Sequence, residues 1–140
     1  MTPRVIDASA VAAAFFQEEH TAVARSLLVS QRPLCAPDLI VAELANVIWK
    51  RHVRREIDDG EARALLADFL SLPLLLTPSG ELVEPALELA LRTGRTVYDC
   101  LYVALAVKTK SVLVTADKRL ANALAGTGLA RHIAWIGDSQ

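Results

Sequence analysis

Apolar residues in this chain come in short blocks divided by polar turns, and the blocks alternate between two kinds. Arg4-Val5-Ile6, Leu34-Cys35-Ala36, Leu72–Thr77, Ser111–Thr115 and His132–Ile136 read as short buried strands. The longer segments between them predict helices: Ala10 to about Phe16, Thr21–Ser30, Leu39 to Arg54 or Arg55, Glu61–Leu70, about Glu81–Arg92, Val97–Val107, and a last one opening at Ala116-Asp117-Lys118. Ser9, Asp38, Asp58 or Asp59, and Thr96 are the expected N-caps. Strands alternating with helices predict a parallel sheet covered on both faces. Asp138-Ser139-Gln140 reads as a frayed tail.

Two helices depart from an amphipathic pattern. From Val97 to Val107, ten of eleven residues are apolar, and the exception is Asp99. A helix with no polar face belongs in the interior, where a carboxylate must be paired, hydrogen-bonded or bound to a cation. Thr96 with Asp99 three residues on resembles a capping box, which offers a purely local account. From Leu39 to Trp49, nine of eleven residues are apolar, and the exceptions Glu43 and Asn46 share one face by their spacing of three. A hydrogen-bonded pair on a narrow solvent-facing stripe is the alternative there. Two further acids follow strands: Asp7 after Val5-Ile6, with Ser9 beside it, and Asp117 after Thr115. Both also suit plain turn or helix-start roles. Glu81, Glu84 and Glu88 have the spacing of a solvated helix face.

Composition narrows the chemistry. The 140 residues predict a single domain, residues 1–140, and a hydrophobic fraction of 53% with 5% aromatics suggests Ala/Leu/Val helices on a buried sheet. This apolar surplus also leaves surface for a partner. The longest charge-free run, Phe69–Gly80, has 12 residues and two prolines, against the roughly 20 that a membrane span needs. Arg4 and Asp7 interrupt the place where a signal peptide would become apolar, so a cytoplasmic protein is expected. Cys35 and Cys100 sit in apolar surroundings as small hydrophobes, and His20, His52 and His132 are scattered without zinc-ligand spacing. A net charge of −1 announces no nucleic acid globally, leaving local basic patches to make any such contact. The run Lys50, Arg51, Arg54, Arg55 is either a solvated face or part of an RNA-backbone surface.

Asp7, Glu43, Asp99 and Asp117 therefore occupy equivalent niches: two just after strands, two on otherwise apolar helices. Strands of a parallel sheet share a carboxyl edge, where Asp7 and Asp117 can meet and where a helix N-terminus such as that of Asp99 can open. Four carboxylates together repel one another unless a cation intervenes, and an all-oxygen site suits Mg²⁺ or Mn²⁺. Such a metal activates water and orients a phosphodiester for in-line attack.

Four motifs, Val5-Ile6-Asp7-Ala8-Ser9, Glu43-Leu44-Ala45-Asn46, Thr96-Val97-Tyr98-Asp99 with Tyr102-Val103-Ala104-Leu105-Ala106, and Thr115-Ala116-Asp117-Lys118-Arg119-Leu120, appear in order. Together they resemble the PIN-domain ribonucleases, and most closely the VapC-type toxins of toxin–antitoxin pairs, over nearly the whole chain. The resemblance implies a three-layer α/β/α, Rossmann-like domain with a five-stranded parallel sheet. It implies an endoribonuclease using one or two Mg²⁺ or Mn²⁺ ions and leaving a 5′-phosphate and a 3′-hydroxyl. Asp7 and Asp99 would be direct ligands, Glu43 and Asp117 would hold a second metal or position water, and Ser9, Asn46 and Thr115 would support them by hydrogen bonds. Arg95, Lys118 and Arg119, with Arg92, are candidate RNA contacts, ordinary surface charge being the alternative. The partners implied are an RNA substrate, an antitoxin that covers the site, and a second copy in a homodimer or higher assembly. A PIN ribonuclease of RNA processing without a toxin role, and a nuclease-dead RNA- or protein-binding module, are the competing readings.

Overall fold

The computed structural model describes residues 2–138. Five short strands form one sheet: β1 (Arg4–Ile6), β2 (Leu34–Pro37), β3 (Leu74–Thr77), β4 (Leu113–Thr115) and β5 (Ile133–Trp135). All neighbours are parallel, in the order β3-β2-β1-β4-β5. Chain order thus reverses between β1 and β4, and in open α/β sheets a crevice forms at that point, outside the carboxyl ends of the strands. Val5 pairs with Leu113 and Ile6 with Val114, so Asp7 comes level with Thr115 at that edge.

The helices are α1 (Ala8–Phe15), α2 (Thr21–Val29), α3 (Leu39–Val53), α4 (Asp59–Leu70), α5 (Val83–Thr93), α6 (Val97–Lys108) and α7 (Lys118–Ala125). Right-handed crossovers put α1–α4 on one face of the sheet and α5–α7 on the other. The packing of α1 on α2 and α3, of α3 on α4, and of α5 on α6 agrees with that division. The expected three layers are therefore present. The core is built from aliphatic side chains of β1, β4, α1 and α6, with Val5, Ile6, Leu105 and Leu113 fully enclosed. Cys35 and Cys100 are buried free thiols, as expected. Glu81, Glu84 and Glu88 are exposed, also as expected. No helix among the described residues is long and apolar enough to cross a membrane.

Local chemistry departs from the sequence reading at several ends. The first helix begins at Ala8, two residues early, because Asp7 is its cap: its carboxylate accepts from the Ala10 N–H. Ser9 is left free for another task. Asp38 stands at the start of α3 but does not cap it directly. Its Oδ1 accepts from the Ser79 amide and hydroxyl, and the Ser79 Oγ accepts from the Leu39 N–H, so the cap is relayed. Those two bonds hold the Asp38 carboxyl below its ordinary range. Asp58, rather than Asp59, caps α4, in a complete capping box with Glu61. Asp138 ends a short 3-10 turn, and Ser139 and Gln140, the rest of the expected tail, lie outside the described residues.

One glycine aims the chain at the site. Gly94 follows α5 with φ of 74°, a left-handed conformation that side chains adopt at a cost. It redirects the backbone into Arg95 and Thr96, which open α6. We expect Gly94→Ala to lower the unfolding free energy by about 1–2 kcal/mol, the ordinary strain of that conformation, in urea titrations.

Candidate functional site

The carboxyl edge at the β1–β4 switch point is organised by Asp7, which is 6% exposed. Three donors meet its carboxylate. Ser9 Oγ donates to Oδ1 at 2.6 Å, the Ala10 N–H to Oδ1 at 3.0 Å, and Thr115 Oγ1 to Oδ2 at 2.5 Å. Both hydroxyls also accept: Ser9 from the Ala116 N–H and Thr115 from the Asp117 N–H, each at 3.0 Å. Ser9 and Thr115 thus stitch the end of β1 to the end of β4 through Asp7. Desolvation still dominates: burial pushes the Asp7 carboxyl up to about 6 against the pull of these bonds, and the Asp117 charge pushes the same way.

Asp117 itself caps α7, its Oδ1 accepting from the Arg119 and Leu120 N–H groups. On the other side of Asp7 stands Glu43, half-buried on α3. Its Oε1 accepts from the Tyr102 hydroxyl at 2.5 Å. Burial raises the Glu43 carboxyl above its ordinary range, the tyrosine opposes this, and the Asp99 charge adds to it. Tyr102, 2% exposed on α6, is pushed well above the usual tyrosine range, first by burial and then by the Glu43 charge, with Asp7 contributing. It therefore keeps its proton and remains a donor. The acids fall into two charge-linked pairs, Asp117 with Asp7 and Glu43 with Asp99, and Tyr102 feels the charge of both Asp7 and Glu43 between them.

Asp99 is not the interior carboxylate that its apolar helix suggests. It lies in the first turn of α6 with its side chain 30% exposed, and Arg95 Nη2 donates to its Oδ2 at 3.3 Å. Thr96 does cap α6, accepting from the Asp99 N–H at 3.1 Å, so half of the expected capping box is present. The enclosed acid is Asp7, and Asp99 is compensated by an ion pair.

The remaining candidates divide. Ser9 and Thr115 are bonded directly to Asp7. Asn46 is exposed one turn beyond Glu43, and among the described residues it bonds to none of the four acids. Arg95 is engaged by Asp99 rather than presented outward, Arg92 and Arg119 are exposed, and Lys118 lies over an aromatic ring. Tyr102 is the residue that sequence reasoning missed. An aromatic in an apolar helix reads as core, and the available signal was its spacing of three from Asp99, which puts both on one face of α6.

The donor set suits a hard divalent cation. Among the described residues, Glu43 Oε2, Asp99 Oδ1 and Asp117 Oδ2 accept no hydrogen bond, so each outer acid has one carboxylate oxygen unengaged. As they stand, no three His, Cys, Asp or Glu side chains of the described residues are close enough together to hold an ion.

The PIN-domain family model matches residues 4–124. Among curated proteins, Ribonuclease VapC3 of Pyrobaculum aerophilum is 37% identical over 119 residues, covering 84% of this chain and 91% of that protein. Ribonuclease VapC1 of Mycobacterium tuberculosis is 35% identical over 123 residues, covering 85% and 89%. A crystal structure from Pyrobaculum aerophilum superposes with a TM-score of 0.67 at 25% identity, covering 99% of this chain and 86% of that one.

Two outcomes follow from this geometry. The raised Asp7 carboxyl keeps its proton in the folded state between pH about 4 and about 6, where the unfolded chain has released it. This group's contribution to stability is therefore full below about 4 and is lost as pH rises through about 6, an effect on the order of 3 kcal/mol. Asp7→Asn should melt higher than the unaltered protein at pH 7.5, with the gap closing towards pH 4 in a pH series of thermal unfolding. Tyr102→Phe leaves Glu43 half-buried without its donor and should cost about 1–3 kcal/mol in urea unfolding, with unchanged circular dichroism.

Proposed function

The chain belongs to the PIN-domain family, with VapC ribonucleases among its relatives, and we propose that it is a Mg²⁺- or Mn²⁺-dependent endoribonuclease, the toxin of a toxin–antitoxin pair. One observation carries this reading. At a sheet's switch point, a carboxylate is kept buried at a cost to stability, with Asp117 raising it by charge and Tyr102 standing between it and a second charge-linked pair, Glu43 and Asp99. A cluster serving only the fold would gain by losing Asp7 to an amide or an apolar residue.

In this reading, Asp7, Glu43, Asp99 and Asp117 hold the cation, drawing on the unengaged oxygens of the three outer acids. When bound, the ion activates water and neutralises charge on the scissile phosphate. The chain's own groups do the rest. Ser9, Thr115 and the Ala10 amide fix the orientation of Asp7, so its position does not depend on the ion. Tyr102 holds one oxygen of Glu43 and leaves the other unengaged. Arg95 does the same for Asp99 and brings positive charge to an edge that otherwise repels RNA. Arg119, exposed at the start of α7, would meet a phosphate.

Exposed apolar side chains supply a surface for an antitoxin or a second copy. Val83, Leu87 and Leu91 recur every four residues along α5, and Leu75 and Leu76 are exposed on the edge strand β3. Toxin function predicts growth arrest on expression, relieved by the neighbouring antitoxin gene. Purified protein should cleave RNA only with Mg²⁺ or Mn²⁺, and Asp7→Asn or Asp99→Asn should abolish both cleavage and arrest with circular dichroism unchanged. Full activity in either variant, or cleavage in EDTA, would sink the proposal.

A further inference from the structure

We propose that Trp135 and Lys118 form a stacking subsite for one nucleobase of a single-stranded RNA segment, beside the acidic cluster. This rests on the ribonuclease reading and deepens it by stating how the substrate is held. Trp135 ends β5 and pairs in register with Thr115, the residue that donates to Asp7. Asp7 is one strand further along the same edge, so the indole's backbone lies two strand spacings away, about 10 Å. The ring is thus placed to take a neighbour of the scissile nucleotide.

The surroundings of the ring differ from those of a core aromatic. Lys118 Nζ, from the exposed first residue of α7, stands 4.6 Å from the ring centroid. His20, from the loop between α1 and α2, meets it edge-on, with centroids 5.2 Å apart at 85°. Gly137 runs so close that a Cβ there would come within 2.3 Å of the indole Cη2 and Cζ3, so only glycine lets the ring lie as it does. A cavity of about 440 Å³ opens beside it, lined by Lys118, Asn122, Ile133 and Trp135 among others. A loop on one face of the sheet and a helix start on the other therefore frame a half-buried indole with a lysine cation over its ring.

That combination matches single-stranded nucleic acid. Every base has a π-face, so stacking on an indole tolerates any sequence, and an adjacent lysine meets the backbone charge. In the free protein the ammonium occupies the ring by a cation–π contact. An incoming base takes that place and releases Lys118 to the neighbouring phosphate. The ring as a mere plug between α7 and the α1–α2 loop is the reading this must defeat.

The experiment is a fluorescence titration of the full chain carrying Trp49→Phe, which leaves Trp135 as the sole tryptophan. It is done in EDTA with a short single-stranded oligoribonucleotide as the probe. Saturable quenching is expected, and binding of the same oligoribonucleotide carrying a fluorophore, read by anisotropy, should be about tenfold weaker in Trp135→Ala and nearly unchanged in Trp135→Phe. In steady-state cleavage Trp135→Ala should raise KM and leave kcat in place, which a plug would not do selectively. Should Trp135→Ala fail to fold, the quench and the Trp135→Phe value still decide. No quenching, or an equal Kd with alanine, overturns the subsite. RNA cleaved without quenching overturns it while the nuclease reading stands, and quenching without cleavage upholds it as that reading falls.

Discussion

The arrangement depends on keeping one charged group out of water. Asp7 is enclosed at the carboxyl edge, and its three donors come from the first turn of α1 and the end of β4. β1 and β4 are adjacent in the sheet but far apart in the chain, so solvating this carboxylate also fixes which strands are neighbours. A stray buried charge would cost several kcal/mol; hydroxyl and amide donors reduce that penalty without cancelling it. The protein thus carries a local instability exactly level with the switch point of its sheet, the kind of strain that folds retain where a site requires it.

Four acids in a row raise the question of how each is tolerated, and each has a different answer. Hydroxyls and a backbone amide serve Asp7, a tyrosine proton serves Glu43, a guanidinium serves Asp99, and the open amides of a helix start serve Asp117. These solutions draw on both helical layers: α3 contributes Glu43 from one face, and α6 contributes Tyr102 and Asp99 from the other. The Tyr102–Glu43 bond joins the layers over the strand ends. Compensation therefore leaves one oxygen of each outer acid without a hydrogen bond among the described residues.

Much of this could be read from the residues. Short apolar blocks alternating with helices gave the parallel sheet, because period and length are local properties. The same reasoning singled out the four acids and set Ser9 beside Asp7 and Thr115 beside Asp117, whereas the fold brings both hydroxyls to Asp7. It misjudged depth. Ten apolar residues in α6 signalled burial for Asp99, yet a helix's first turn can reach solvent while its body is enclosed, and no periodicity reports where that change occurs. Ser9 and Asp7 are both good caps, and the choice between them was made by Thr115, over a hundred residues away. Tyr102 and Trp135 escaped for one reason: an aromatic among aliphatics reads as filling, and only the fold shows that the hydroxyl of one and the ring of the other meet polar partners.

The sheet order also has a consequence for the chain while it is being made. The acids enter at positions 7, 43, 99 and 117, and β4 must slide in beside β1 before Thr115 can reach Asp7. Such pairing between distant segments forms late in folding, since loop closure precedes the contacts that reward it. During synthesis from the N-terminus, a ribosome-bound fragment reaching only to the end of α6 holds three of the four acids and lacks the strand that orders the first. The complete edge comes into being only when β4 and the start of α7 have left the ribosome, so the order of strands acts as a timer on the assembly of the site.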